Sequence, residues 1–580
     1  MTGLSARARV EAAFRRVKEV DRPEVWILLR DEADVLADAD RVDARVNART
    51  GAGAAAGGGE GDELPLAGLL LAVKDNVDVA GLPTTAACPA YAYTPPRSAT
   101  AVARLVDAGA IVLGKTNLDQ FATGLVGTRS PYGAVRNAWH PDRISGGSSS
   151  GSAVAVALGI ADLAVGTDTA GSGRVPAALN GIVGIKATLG LVPVTGVVPA
   201  ARPYDCVTVF AGTVALAARA IAIMAGPDAA DPLSRPWPAD VRLAAPPEPR
   251  IAVPDPAALA PLSDEARAAF AAAVDRLADA GATVRVVDVA PLLATAKLLY
   301  DGALVAERYA AVGDFLATEP PGADPTVSAI ILAAGSLSAH DLAADQRRVD
   351  EARVTAAALL DGCDALLLPT TVGHPTLAEV AADPVGANSR LGTYTNFLNL
   401  LDMAAVAVPA GTADGTPFGV SVVARAFDDQ IGVDLAARLT GETVDRPVPG
   451  LGLDLVVFGA HRHGQPLNHQ LTGAGARLRG IVRTSPDYRM LDLRTDPPKP
   501  GITATAPGEG GALEGERWTL SPAALGVFLA ALPAPMTLGK VTLDTGEAVT
   551  AFHCDVPPGA DVVDVTGYGS WPAYQAARGD

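Results

Sequence analysis

Cysteine, positive charge and long apolar runs are all scarce in this chain of 580 residues. Its four cysteines, Cys88, Cys206, Cys363 and Cys554, have neither metal-ligand spacing nor a pairing pattern. Scattered cysteines argue against a disulfide-stapled secreted domain or a zinc module, and they fit a reducing, cytoplasmic compartment. Lysine and arginine number 46 against 64 aspartates and glutamates, which gives a net charge of −18. This excess of acid argues against nucleic acid or an anionic membrane as a partner.

No apolar run is long enough to cross a bilayer. The longest, residues 153–165, is broken by Gly159 and Asp162, whereas a membrane helix needs about 20 apolar residues. The N-terminal stretch MTGLSARARVEAAFRR is charged and amphipathic and has no apolar signal-peptide centre. Apolar residues make up 49% of the chain, enough for large cores, and this length predicts two or three domains. We therefore expect a soluble, cytoplasmic protein.

Residues 145–176 form the stretch around which the chain is organised. Two glycine loops that carry serine, residues 146–150 and 170–173, flank an apolar segment. This segment starts with serines and reaches Gly159, which predicts a short helix capped by hydroxyl groups. Residues 161–167 are short and apolar, and they predict a buried strand.

The predicted helix and strand bring the two serine loops together. About nine helical residues rise roughly 14 Å, and six strand residues extend roughly 20 Å. If the strand doubles back along the helix, Ser148 and Ser172 become neighbours. Pro176 predicts a further helix that begins just after Ser172, and backbone N–H groups there would suit an oxyanion. The structural alternative is that glycine and serine only make turns here.

A serine hydroxyl needs a base before it can act as a nucleophile. His140, in the turn-like sequence WHPD, is the histidine nearest to the two loops along the chain. Lys74, at the end of the apolar run 69–73, is the better candidate, because burial lowers the pKa of a lysine. Lys115, which follows the strand-like residues 111–114, is a rival. The structural alternative for Lys74 is a lysine that snorkels from a strand end.

Three sequence blocks occur in the order and spacing of the amidase signature family. They are AVKDN at 72–76, GGSS at 146–149 and GTDTAGSGR at 166–174. The resemblance implies a Ser-cisSer-Lys triad in which Ser172 is the nucleophile, Ser148 the relay and Lys74 the base. The N–H groups of the nucleophile loop, at Thr169, Ala170, Gly171 and Ser172, would hold the oxyanion.

Two departures from the family pattern, Ala170 and Gly173, remove no catalytic group and resemble the allophanate hydrolase branch. In those enzymes a tyrosine and an arginine of one helix bind the substrate. The matching residues here are Tyr300 and Arg308, about 80° apart on a helix predicted over residues 292–312. The structural alternative is a tyrosine at the edge of the core and a solvated arginine.

The first 445 residues are expected to form an α/β amidase signature domain. A helical N-terminal segment is predicted over residues 1–60, with amphipathic helices over 1–50 followed by a Gly/Ala-rich link at 51–61, and strands then alternate with helices. This alternation predicts a mixed sheet covered by helices on both faces. The proline-rich residues 236–254 predict a connection on the surface.

A second domain is expected after a linker at residues 446–454. Residues 455–580 predict short strands separated by turns, so this smaller domain is mostly β. It resembles the C-terminal domain of allophanate hydrolases, which is similar to the γ-glutamylcyclotransferase fold. His461, just after a strand, is the candidate there for chemistry, and a structural histidine is the alternative.

The resemblance implies hydrolysis of allophanate, a small anionic ureido acid, to ammonia and carbon dioxide, without a metal or other cofactor. It also implies a homodimer, and it suggests a urea carboxylase as a partner. The alternatives are a general amidase, the amidase component of a tRNA-dependent amidotransferase, and an inactive assembly protein that keeps the amidase fold. The appended domain and the acidic charge argue against the amidotransferase, and the complete triad argues against an inactive protein.

Overall fold

The computed structural model describes residues 4–52, 64–444, 446–556 and 559–579. Most of the predicted Gly/Ala-rich link therefore lies outside the described residues. The chain divides into two compact units between Val448 and Pro449, inside the predicted linker. Trp237–Pro247 also belong to the second unit.

The predicted connection at residues 236–254 is therefore not a simple surface link. Part of it packs into the second unit, where Leu243 N donates to Gly475 O at 2.8 Å and Ala523 N donates to Ala239 O at 2.9 Å. The prolines of this segment lack N–H groups, but its remaining amides and carbonyls still pair with the second unit.

One eleven-stranded sheet forms the centre of the described first unit, in the order β1-β3-β2-β4-β6-β5-β10-β11-β9-β7-β8. Its strands are β1 Trp26–Leu29, β2 Leu70–Lys74, β3 Ile111–Thr116, β4 Leu163–Asp168, β5 Val183–Lys186, β6 Cys206–Ala211, β7 Arg250–Pro254, β8 Thr283–Val287, β9 Ala365–Pro369, β10 Ala404–Ala413 and β11 Thr416–Ala424. Strand β2 runs parallel to β3 and β4, whereas β4 runs antiparallel to β6. The sheet is mixed, and helices flank it, so the predicted α/β fold is confirmed.

The helices of the first unit connect these strands. They are α1 Ala6–Val20, α2 Glu32–Ala52, α3 Thr100–Asp107, α4 Ser150–Ala157, α5 Val175–Asn180, α6 Val214–Met224, α7 Asp264–Asp279, α8 Ala290–Ala296, α9 Ala306–Leu316, α10 Pro325–Ala333, α11 Ala339–Leu359, α12 Leu377–Ala382, α13 Gly386–Leu391, α14 Asn396–Leu400 and α15 Asp429–Thr440. The apolar residues of α1, α4 and the central strands share one core, to which Val10, Phe14, Ala72, Leu113 and Val154 belong. Sequence analysis missed strand β1, which lies between the first two helices and pairs with β3.

The predicted single helix over residues 292–312 is wrong. The chain forms α8, two short 3₁₀ turns at Lys297–Leu299 and Ala303–Val305, and then α9. The interruption falls at Gly302, where a Cβ atom would lie 2.5 Å from the Asp345 carboxylate and 2.8 Å from Leu298 O. That carboxylate accepts a hydrogen bond from Ala303 N at 2.6 Å, so it occupies the space that a side chain at residue 302 would need.

The second unit is mostly β, as predicted. Its two sheets run in the orders β13-β16-β12-β18-β17 and β15-β14-β19. The strands are β12 Leu453–Val457, β13 Arg477–Arg483, β14 Tyr488–Asp492, β15 Pro500–Ala504, β16 Glu514–Leu520, β17 Met536–Thr542, β18 Ala548–Cys554 and β19 Val563–Asp564, and the helices are α16 His469–Thr472, α17 Pro522–Ala530 and α18 Trp571–Arg578. Phe458, Trp518 and Trp571 are buried in its core.

No single helix in the described ranges combines the length and the apolar composition that a membrane crossing requires. One pair of helices, Pro325–Ser336 and Ala339–Leu359, meets the criterion together but is bent by 103° between them.

Candidate active site

Helix α4 and strand β4 bring Ser148 and Ser172 together. The two Oγ atoms lie 2.9 Å apart, which confirms that the serines are neighbours, and the peptide bond between Gly147 and Ser148 is cis. The predicted hydroxyl cap on α4 is wrong. Ser149 precedes the helix, but its hydroxyl donates to Thr167 O on β4 at 3.0 Å, so it ties the helix start to the strand instead.

Lys74 continues this chain of hydrogen bonds into the protein interior. Its Nζ lies at the end of β2 and donates to Ser148 Oγ at 2.8 Å and to Thr167 Oγ1 at 2.7 Å. The side chain is fully buried. Lys74, Ser148 and Ser172 are thus hydrogen-bonded in series, and the snorkelling alternative for Lys74 is excluded because its amine does not reach solvent.

Burial lowers the pKa of Lys74 from its ordinary value of 10.5 to about 7. Desolvation disfavours the ammonium form. The carboxylates of Asp119, Asp168 and Asp205 act in the opposite direction, and the positive charge of Arg308 adds a smaller lowering effect. A large fraction of Lys74 is therefore a neutral amine near neutral pH, able to accept a proton.

The two rival bases lie elsewhere. Lys115 forms a buried ion pair with Asp75 at 3.0 Å and donates to Pro83 O and Thr84 Oγ1. The turn that contains His140 is held by Asn137 Oδ1, which accepts from the His140 N–H at 3.1 Å. Within the described residues, no hydrogen bond joins Lys115 or His140 to either of the two serines.

An ion pair inside the fold fixes the nucleophile loop. Arg174 donates to both carboxylate oxygens of Asp168, at 2.8 and 2.9 Å, and both side chains are fully buried. Arg174 also donates to Thr395 O and to Asn399 Oδ1, each at 3.0 Å. Sequence analysis missed Thr395 and Asn399, because no local signal connects residues more than 200 positions away to the loop.

The predicted oxyanion donors are backbone N–H groups of the same loop, whose residues are buried. The N–H groups of Ala170, Gly171 and Ser172 donate to no acceptor in the part of the chain that the structure describes. Gly171 has φ +146°, and a Cβ atom there would collide with Thr395 Oγ1. The N–H of Thr169 likewise has no acceptor among the described residues, while its hydroxyl donates to the buried carboxylate of Asp205. Helix α5 starts at Val175, directly after the loop, as predicted.

Tyr300 and Arg308 meet even though no continuous helix carries them. Arg308 Nη2 donates to Tyr300 Oη at 2.9 Å, and its guanidinium carbon lies 5.0 Å from the tyrosine ring centre. Arg308 Nη1 donates to Thr123 Oγ1 at 2.9 Å and to Ala122 O at 3.4 Å. The arginine is 1% exposed, which excludes a solvated role. Its Nε is buried and has no partner within the described residues.

Residues 121–124 connect this arginine to Ser172, and sequence analysis did not single them out. Phe121 and Ala122 both have left-handed backbone conformations, with φ of 50° and 53°. Ala122 and Thr123 contact Arg308, and Gly124 O lies 3.5 Å from Ser172 Oγ. These residues therefore set the distance between the Arg308 guanidinium and the Ser172 hydroxyl.

His461 lies in the second unit, in an aromatic and largely buried setting. Its ring stacks on Phe552 at 5.0 Å and meets the edge of Phe528 at 5.1 Å, while Nε2 pairs with Gln470 Oε1 at 2.9 Å. Burial lowers its pKa, so the ring is neutral near pH 7. It lines a cavity of about 30 Å³ together with Lys499. A chemical role for His461 stays a prediction.

Within the described residues, no three or more His, Cys, Asp or Glu side chains cluster in a way that could hold a metal ion.

Comparisons with known proteins agree with this geometry. Residues 9–431 match the amidase family, and residues 453–576 match the allophanate hydrolase C-terminal domain. The solved structure of Kluyveromyces lactis allophanate hydrolase superposes with a TM-score of 0.86 at 38% identity, covering 100% of this chain and 98% of that one.

Two curated relatives differ in how much of their own length this chain matches. The chain is 43% identical over 544 residues to a urea amidolyase of Lachancea kluyveri, which covers 88% of this chain but only 30% of that protein. The chain thus spans about a third of the length of the curated urea amidolyases it matches. A glutamyl-tRNA(Gln) amidotransferase component of Symbiobacterium thermophilum is 35% identical over 73% of this chain and 91% of its own length. The chain therefore belongs to the amidase family, and its amidase domain is followed by an allophanate hydrolase C-terminal domain.

Proposed function

We propose that this chain hydrolyses allophanate, a small anionic ureido acid, to ammonia and carbon dioxide in the degradation of urea. The observation that carries the proposal is the hydrogen-bond series from Lys74 through Ser148 to Ser172, which ends near the buried cation Arg308. This combination suits an amide hydrolase whose substrate bears a negative charge. The similarity to the K. lactis allophanate hydrolase over both domains supports the same substrate.

The first chemical step is acyl transfer to Ser172. Ser172 Oγ attacks the terminal carbonyl carbon of allophanate while its proton passes to Ser148, whose own proton passes to the neutral amine of Lys74. When the C–N bond breaks, the proton returns along the same series to the departing nitrogen, and ammonia leaves. Lys74 keeps its orientation because its bond to Thr167 Oγ1 holds the amine against Ser148.

The negative charge of the tetrahedral intermediate needs donors that stand ready in the folded protein. The N–H groups of Thr169, Ala170, Gly171 and Ser172 meet this need, because no acceptor in the described chain uses them. Removal of one such donor typically slows an enzyme about 10²- to 10³-fold. The Asp168–Arg174 pair keeps the loop in place while this charge forms.

Arg308 supplies the cation for the substrate carboxylate. A net charge of −18 repels an anion, so recognition requires a local positive charge. Arg308 still has an unused Nε donor in a buried position, where a charge-assisted hydrogen bond to a carboxylate is strong. Tyr300 fixes the plane of the guanidinium through its hydroxyl and its ring.

The second chemical step releases the acyl group. Water attacks the ester of Ser172, with Lys74 and Ser148 again accepting the proton, and the product is an N-carboxylated carbamate. This product loses carbon dioxide and then breaks down to ammonia and a second carbon dioxide. We further propose that the neutral imidazole of His461 assists the decarboxylation as an acid or base. The alternative is that the C-terminal domain only stabilises a dimer.

Ammonia release from allophanate, measured beside glutamine and a panel of neutral amides, tests the proposal. Rapid release from allophanate with slow turnover of the others is the expected result. Equal rates on all amides would favour a general amidase, release from glutamine would favour the amidotransferase component, and no release would favour an inactive assembly protein. The proposal also includes a cytoplasmic homodimer that receives allophanate from a urea carboxylase, and light scattering in solution tests the dimer.

A further inference from the structure

A cavity of about 510 Å³ lies in the first unit, apart from the catalytic series. A second cavity of about 250 Å³ shares Val194, Arg202, Asp205 and Asp231 with it, so the two adjoin. The ionic residues of the larger cavity are three arginines and three aspartates: Arg202, Arg235, Arg353, Asp205, Asp231 and Asp402. Apart from these, most of its wall is apolar.

The aspartates of the cavity are already satisfied by the protein. Asp231 accepts from the backbone N–H groups of Val194 and Leu233, at 2.8 and 3.0 Å. Asp402 pairs with Arg235 at 2.9 Å and accepts from Leu189 N at 3.1 Å. The hydrogen-bonding capacity of both carboxylates is therefore used within the wall itself, and the charge of Asp402 is paired with that of Arg235.

Asp205 is satisfied in the same way. Its carboxylate accepts from Ala200 N at 2.9 Å, from Ala201 N at 3.1 Å and from the hydroxyl of Thr169. None of the three acids thus depends on a ligand for its hydrogen bonds.

Two of the three arginines retain donors. Arg235 is occupied by Asp402 and Leu189 O. Arg353 donates through Nε to Leu400 O at 3.1 Å and through Nη1 to Asp350 at 3.0 Å, which leaves Nη2. The exposed guanidinium of Arg202 donates to no acceptor within the described residues. The unused hydrogen-bonding capacity of the cavity is therefore cationic, and a ligand that fits it carries a negative charge.

The walls add a second requirement on the ligand. Leu189, Val194, Leu233 and Leu401 line the cavity, so an inorganic ion alone would leave apolar surface exposed to water. Ligand sites usually enclose about 300–1,000 Å³ and are mostly apolar with a few polar groups. An organic anion with an apolar body satisfies both the arginines and the walls.

The segment that lines the cavity is hydrogen-bonded to the catalytic loop directly at Asp205, and its residue Tyr204 is linked to the start of the loop through Asn399. Asp205 accepts from the hydroxyl of Thr169, at the start of the loop that carries Ser172. Tyr204 O accepts from Asn399 Nδ2 at 2.9 Å, and the same amide donates to Asp168 O at 2.7 Å. A ligand on Arg202, three residues before Asp205, would therefore act on the segment that positions the loop.

We propose that this cavity is a second binding site, which takes an organic anion with an apolar body on Arg202 and Arg353, and that its occupancy alters catalysis through Asp205 and Thr169.

Binding of a fluorescent probe tests whether the cavity is a binding site, and this measurement does not depend on catalytic activity. 8-Anilinonaphthalene-1-sulfonate combines a sulfonate with an apolar ring system, and its fluorescence and heat of binding are titrated on the full chain. Arg202→Ala should weaken the site about tenfold or more, because a charge-assisted hydrogen bond is lost. Leu233 lines the cavity and is 41% exposed, so Leu233→Trp should weaken probe binding because the larger side chain fills part of the cavity.

Arg347→Ala provides the matched control, since Arg347 is an exposed arginine of α11, the helix that carries Arg353, but does not line the cavity. It should bind the probe like the wild type. Wild-type binding in both Arg202→Ala and Leu233→Trp, or an equal loss in Arg347→Ala, would overturn the site.

The coupling half is measured on ammonia release from allophanate, and this arm rests on the proposed function. Saturating probe should change kcat or KM of the wild type at least about twofold and leave those of Arg202→Ala unchanged. Thr169→Val should still bind the probe but lose the kinetic response, because its hydroxyl bond to Asp205 is gone. Unchanged kinetics in the probe-saturated wild type would overturn the coupling, and the binding titration would still decide the site.

Discussion

The lowered pKa of Lys74 makes the pH dependence of the reaction predictable. At a pKa of about 7, half of Lys74 is neutral at pH 7, whereas at 10.5 only about one molecule in 3,000 would be. We expect kcat/KM for allophanate to rise about fivefold between pH 6 and 7, less than about twofold between pH 7 and 8, and then to level off. Initial rates of ammonia release between pH 5.5 and 9 measure this profile, and His140→Ala should leave it unchanged.

The same pKa makes a second, independent prediction about stability. Between pH 7 and 10.5 the unfolded chain holds one more proton on Lys74 than the folded chain does, so the stability of the folded protein rises with pH in that window. Relative to Lys74→Met, the free energy of unfolding of the wild type should increase by about 1.4 kcal/mol per pH unit, or about 5 kcal/mol in total. Groups that do not interact with Lys74 titrate alike in both proteins and cancel.

Urea denaturation of both proteins at pH 7, 8 and 9 measures this difference. The hydrogen bonds that Lys74→Met removes shift the difference by a constant amount but leave its slope with pH unchanged. A rate that keeps rising tenfold per pH unit above pH 8, or a stability difference that does not vary with pH, would refute the assignment of Lys74 as a buried base with a lowered pKa.

The other predictions concern single side chains. Ser172→Ala should abolish ammonia release from allophanate at an unchanged melting temperature, and residual activity would contradict its role as the nucleophile. The double variant Lys74→Ala/Ser172→Ala should be no less active than either single variant, because the residues act as one unit. Losses that multiply in the double variant would contradict a shared role of Lys74 and Ser172. Arg308→Ala should raise KM for allophanate at least about tenfold and change the turnover of neutral amides little, whereas equal losses on both substrates would make it structural. His461→Ala should release the first ammonia at the wild-type rate but slow the decay of the N-carboxylated product, and equal decay in both proteins would leave the C-terminal domain a scaffold. This last test uses the full chain, because removal of the C-terminal residues would leave Trp237–Pro247 without their partners.

The proximity of Ser148 and Ser172 could be predicted because one short helix and one strand connect them. Element lengths and the need of the strand to return along the helix fix their proximity without any distant contact. Lys74 followed from its position at the end of an apolar run. The contact between Lys74 and Ser148, which are 74 residues apart, depends on the pairing of β2 with β4, and the motif resemblance rather than the local sequence pointed to it.

Distant contacts explain what could not be predicted. Strand β1 is defined by its pairing with β3, about 85 residues later in the chain. The break between α8 and α9 depends on the carboxylate of Asp345, which is 42 residues from the amide it binds. The Arg174 contact with Asn399 spans 225 residues. Periodicity and motif spacing carry no signal for any of these partners.

The break at Gly302 also affects how natural variants of this protein should be interpreted. In an unbroken helix, residues 300 and 308 would be about 12 Å apart along the axis, but here the Tyr300 hydroxyl and the Arg308 guanidinium are 2.9 Å apart. Any larger residue at position 302 must displace Asp345 or the Leu298 carbonyl. Under the proposed role of Tyr300 and Arg308 in substrate binding, such an allele should lower the affinity for allophanate, a loss that a screen of protein abundance alone does not measure.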